Sequence, residues 1–153
     1  ADRNHFFMKD PYGNVIEITE DDYWYTSNDC LTGAVCGVTI GVSSIEKALP
    51  FYKNILGYDK QLFAGEGNFT DWQGVPGAQH TFKRVMMGHS RILEGAFSKL
   101  LGPTSIELIE VTDRNRLKSL IIGIGVTWVL FMFVLTSMDL SSMKLFAIKM
   151  DFH

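Results

Sequence analysis

The sequence predicts an α+β fold, on three stretches of residues. Between Cys36 and Asp59, CGVTIGVSSIEKALPFYKNILGYD, the signals for a strand, a cap, a helix and a stop agree. Downstream, Lys60 to Ala64, His80 to Met87 and Thr104 to Val111 are strand-like runs, giving the order β-α-β-β-β. Upstream, His5 to Met8 and Val15 to Thr19 flank Asp10-Pro11-Tyr12-Gly13-Asn14, the composition of a hairpin turn.

In that turn Pro11 presets its φ, while Gly13 and Asn14 tolerate positive φ. Ile16 and Ile18 share one strand face and Val15, Glu17 and Thr19 the other, because side chains alternate along a strand. Residues 21–34 mix acids with turn formers and read as a linker, packed down by Tyr23, Trp24 and Tyr25. Val38 to Val42 alternate as a half-buried strand. Ser43 then opens S-S-I-E, a capping box in which its hydroxyl takes the Glu46 amide and the Glu46 side chain reaches back. Ile45, Leu49, Tyr52 and Leu56, with Ala48 and Ile55 beside them, make one apolar helix face opposite Lys47, Lys53 and Asn54. Gly57 ends the helix as a left-handed cap, and Pro50 removes one backbone bond inside it. Gly65 to Gln79 is a glycine-rich loop. In the third strand of this unit Phe82, Arg84 and Met86 oppose Lys83, Val85 and Met87, so neither face is purely apolar, as suits a strand lining a polar cup. A short helix is expected over Ile92 to Leu101. On the last strand Ile106 and Leu108 oppose Glu107, and Glu110 reads as a solvated edge residue.

Three of these segments together resemble the vicinal oxygen chelate superfamily, which includes glyoxalase I, extradiol dioxygenases and the bleomycin resistance proteins. The resembling residues are G-V-T-I-G-V at 37–42 with A-L-P-F-Y-K-N-I-L-G-Y at 48–58, K-D-P-Y-G-N-V-I-E-I at 9–18, and S-I-E-L-I-E-V at 105–111. The resemblance implies tandem βαβββ modules: residues 1–20 as the last hairpin of a preceding module, 21–34 as linker, and 35–113 as a second module. It also implies a cupped sheet in which Glu17 and Glu107 match the carboxylate metal ligands. The repeat V-I-E-I at 15–18 and S-I-E-L at 105–108 supports their equivalence. A hard carboxylate suits Zn, Ni, Fe, Mn or Mg, which would polarise two neighbouring oxygens of a small substrate. The position that usually carries His or Gln on the opening strand is Gly37, which has no donor, and His80 and His89 match no ligand position. The resemblance therefore implies a metal-dependent lyase, isomerase or dioxygenase as the parent, with weak or absent metal binding and no activity expected in this chain. The alternative, favoured by Gly37, is a non-catalytic binder of a small molecule. Modules of this superfamily pair within or between chains, so a homodimer is a possible assembly.

Composition agrees with a globular protein: 46% of the 153 residues are apolar and 20% charged. A net charge of -3 without a basic run argues against nucleic acid. Cys30 and Cys36 lack metal or redox spacing and suit a reducing cytoplasm. The chain opens at Ala1, partway into a hairpin, and is expected to be a fragment of a longer protein.

Residues 114–153 pose a separate problem. Ser119 to Met138 hold no charge over twenty residues, the length of a membrane-spanning helix, so a membrane anchor is one reading. Frameshift is the favoured one. With permitted codons for Lys118 to Val134, triplets begun at the final base of Lys118 read I-F-D-N-R-Y-W-G-D-L-G-F-I-H-V-C. That string resembles a further opening strand of the same superfamily with its His in place. Residues from about Leu117 onward are then expected to pack poorly.

Overall fold

Alternating apolar and polar residues drive much of the described chain into strands. The computed structural model describes residues 4–21, 33, 35–98, 103–113 and 132–137, which form a mixed α and β fold that is mostly sheet. The strands are β1 (His5–Lys9), β2 (Val15–Glu20), β3 (Val35–Gly41), β4 (Lys60–Gly67), β5 (Phe82–Gly88), β6 (Ser105–Val111) and β7 (Met132–Ser137). They make one sheet in the order β1-β2-β7-β3-β6-β5-β4. A single described helix, α1 (Ile45–Asn54), connects β3 to β4.

The strand-helix unit at Cys36 forms as expected, with its cap moved by one residue. Ser44, extended at φ -160°, is the N-cap, and its hydroxyl accepts from the Lys47 amide at 3.4 Å. The Ile45 amide at the helix start donates to the Glu110 carboxylate at 2.9 Å. Glu110 is thus a capping group on the helix side of the sheet and not a solvated edge residue. Gly57, at φ 77°, turns the chain so that the Tyr58 amide reaches the Tyr52 carbonyl at 3.1 Å. Ile45, Ala48, Leu49 and Tyr52 pack against Met87, Ile106 and Leu108. Ile55 and Leu56, expected on the same face, are exposed at 70% and 47%, because the helix has already ended at Asn54.

Strand boundaries differ from expectation in two places. β4 runs on to Gly67, and β5 begins at Phe82, since His80 and Thr81 are held by Asp113 in the connection before it. The loop between them contains a 3-10 turn, Thr70–Trp72, which buries Trp72 against Val75, Phe82 and Ile109. Ile92 to Phe97 are irregular rather than helical, and the rest of the helix expected there lies outside the fully described residues, as does the aromatic linker cluster.

The largest difference concerns the tail. Met132–Ser137 form β7 in the middle of the sheet, so this part of the tail packs, and the uncharged run is not one continuous helix. A short run of apolar and β-branched residues suits a central strand as well as a helix segment, and pairing on both edges selects the strand. No described helix is long and apolar enough to cross a membrane.

Register then reveals a two-fold relation. β3 runs parallel to β6 with Thr39 opposite Glu107, and β7 runs parallel to β2 with Val134 opposite Glu17. β3 and β7 are antiparallel neighbours, with Gly37 opposite Val134 and Thr39 opposite Met132. Exchanging β3 with β7 therefore carries Glu107 onto Glu17 and Gly37 onto Met132. One strand further out, Arg84 faces Ile109 and His5 faces Thr19, so Arg84 and His5 correspond as well.

Candidate functional site

The Glu17 and Glu107 side chains project from the same sheet face, opposite to the face that packs against α1. A flat sheet would hold β1 and β5 about 24 Å apart, five spacings of about 4.8 Å. Phe7 on β1 nevertheless packs against the cluster of Trp72, Val75, Phe82 and Ile109. Contact across that span requires the sheet to curl around the carboxylate face, which is what makes a cup.

On the β6 side the carboxylate is fully committed. Arg84 Nε donates to Glu107 Oε1 at 2.7 Å, and the Thr39 hydroxyl donates to Oε2 at 3.1 Å. Arg84 Nη1 donates to Asp71 Oδ2 at 2.8 Å, so one guanidinium bridges two carboxylates. Its carbon also lies 4.2 Å from the Trp72 ring centre and 4.4 Å from that of Phe69, within cation-π range. Glu107 and Arg84 are buried, at 4% and 7% exposure. Burial pushes the Glu107 carboxyl up, against the pull of Arg84, with Glu17 adding to the rise. Burial alone would lower the Arg84 pKa, but Glu107 and Asp71 outweigh it and hold the guanidinium charged.

The β2 side repeats the arrangement with a titratable base. His5 Nδ1 lies 2.5 Å from Glu17 Oε1, both side chains being partly buried. The hydrogen bond to Glu17 raises the His5 pKa above 6.5, against burial; Asp71 adds to the rise and Arg84 opposes it. Each pair thus acts electrostatically on the other, as groups sharing one cavity face do.

Glu17 and Glu107, singled out from sequence, are therefore brought to one face, and Gly37 is buried beside them without a donor. Sequence reasoning missed Arg84, His5, Thr39 and Asp71. A charge inside an apolar alternation, as in Phe82-Arg84-Met86, is a usable signal for a buried ion pair. Asp71, in a glycine-rich loop, offers none. His80 and His89 lie elsewhere: His80 bonds Asp113, and His89 Nδ1 donates to the Gly57 carbonyl at 2.8 Å. Cys36 is half-buried on β3, and Cys30 lies outside the described residues.

A divalent metal at this face does not fit the described donors. Both Glu107 oxygens are taken by Arg84 and Thr39, and Gly37 contributes no ligand. The counterpart of Gly37 under the exchange of β3 with β7 is residue 132, a methionine and not one of the hard donors that such cations prefer. Among the described residues no group of three or more His, Cys, Asp and Glu is arranged to hold a metal ion. Comparison with protein-family models, with curated proteins and with solved structures gives no match for this chain.

Proposed function

We propose that the chain is part of a small-molecule-binding cup of the vicinal oxygen chelate kind, and that its described residues hold a ligand without a divalent metal. The observation that carries this reading is the register equivalence of Glu17 with Glu107, and of His5 with Arg84, on one curled face. Fixed carboxylates and bases beside Phe7, Phe63 and Phe69 offer polar groups to orient a ligand and aromatic surface to cover it, the usual composition of a small-molecule site. A cytoplasmic setting belongs to the proposal, since Cys30 and Cys36 lack metal or redox spacing.

The test is a small-molecule screen followed by amide chemical-shift mapping on the full chain, with and without EDTA. Shifts confined to β1, β2, β3, β5 and β6 and indifferent to chelator are expected. Ligands that bind only after metal is added would sink the metal-free reading.

A second reading, a metal-dependent lyase, isomerase or dioxygenase in the parent protein, is favoured by the register of β7. With the permitted codons given above, the His of G-F-I-H-V-C would be coded across Phe131 and Met132, and residue 132 is the counterpart of Gly37 under the exchange of β3 with β7. Residue 132 falls opposite Val15 by continuation of the β2–β7 ladder, two residues before the pairing of Val134 with Glu17. Sequencing the coding DNA from Arg114 to His153 separates the readings: a frame that continues as this strand favours the metal enzyme. Codons incompatible with it leave the binder.

A further inference from the structure

The superfamily resemblance would put a divalent ion where Glu107 points, but a cation already stands there. We propose that Arg84 is the resident cation of the Glu107 half of the cup, that it withholds Glu107 from metal, and that any divalent ion the chain takes engages the Glu17 half instead.

Four observations support this assignment. The guanidinium is pinned through two different nitrogens, Nε on Glu107 and Nη1 on Asp71, so leaving would break two charge-assisted bonds. It is held between those carboxylates and the Trp72 and Phe69 rings, and its side chain is only 9% exposed. The second oxygen of Glu107 is occupied by Thr39, itself 1% exposed. The counterpart of Arg84 under the exchange of β3 with β7 is His5, which meets Glu17 through one ring nitrogen. The two halves therefore differ in geometry: both oxygens of Glu107 are held, by Arg84 and Thr39, with Arg84 anchored a second time on Asp71, whereas Glu17 is met by His5 through one oxygen.

The inference rests on the cup reading only for its meaning to function, and its test does not require a ligand. Zinc chloride is titrated into the full chain at neutral pH while the Arg84 Nε–H resonance is followed by nitrogen-15 NMR. Zinc affinity is measured calorimetrically for the unaltered chain, Glu107→Gln and Glu17→Gln. The expected result is a slowly exchanging Arg84 Nε–H that zinc does not shift, with any zinc binding lost in Glu17→Gln and unchanged in Glu107→Gln. A stoichiometric zinc shift of that resonance, with a loss of about tenfold or more in Glu107→Gln, the size of effect seen when a metal site is disturbed, overturns the proposal. Where Arg84→Gln remains folded, it should gain Glu107-dependent zinc binding, and a folded variant without that gain also overturns it. Failure of the cup reading would show separately, as a screen in which no small molecule perturbs this face while the Arg84 result stands.

Discussion

Arg84 joins Glu107 and Asp71 from a buried position, and the worth of that contact depends on what its loss leaves behind. Removing one partner of a buried ion pair costs about 3–5 kcal/mol, because the other charge stays buried and uncompensated. Arg84→Met should therefore destabilise the protein by about that amount in urea unfolding. The double variant Arg84→Met/Glu107→Leu should recover most of the loss, since it removes both buried charges. Equal destabilisation by the single and double variants would contradict the pairing. His5 makes a prediction with a sign. Its folded pKa is raised above 6.5, chiefly by the Glu17 hydrogen bond. The stability from this pair is fully present below pH 6.5 and is lost as pH rises through the folded value. Urea midpoints on either side of neutrality should show that loss in the unaltered chain and not in His5→Ala; identical profiles would exclude it. At this scale the sequence was partly legible. Glu17 and Glu107 could be picked out through the superfamily resemblance, with their repeat as support, but their partners depend on which strands lie side by side, a long-range fact with no local signal.

Among the elements, α1 shows where local chemistry is sufficient and where it is not. Its apolar contacts through Ile45, Ala48, Leu49 and Tyr52 and the left-handed turn at Gly57 follow from residue spacing, although the helix itself ends earlier, at Asn54. The choice of Ser44 over Ser43 as cap does not, because it hangs on Glu110 reaching the Ile45 amide from another strand. Gly57→Ala gives a direct check on the stop signal. The added Cβ would meet only His89 Nδ1, at an ordinary 3.9 Å, so its cost is conformational. A loss of about 1–2 kcal/mol is expected from holding a non-glycine residue in the left-handed region; no change in the urea midpoint would mean the turn can be made another way. β7 was not legible as a strand for the opposite reason. An uncharged run satisfies a helix, a strand or a membrane span equally well until something pairs with it, and here β2 and β3 do.

For the molecule as a whole, β7 joins the two halves. Without it β2 and β3 have no shared neighbour, and the pairs His5–Glu17 and Arg84–Glu107 need not share a face. With it, five consecutive strands from β2 to β5 form a curled wall, and Phe7 reaches the Trp72 cluster across the cup. The β-α-β-β-β order was readable from the sequence because each piece announces itself locally, whereas the sheet order, with β7 inserted between strands far earlier in the chain, was not. The measurement that tests this most directly is a search for cross-strand Hα and amide contacts by NMR between β3 and β7. Contacts pairing Thr39 with Met132 and Gly37 with Val134 are the predicted result. Contacts absent there, with Met132 to Ser137 amides exchanging as fast as in an unfolded peptide, would contradict the joined cup and the site built on it.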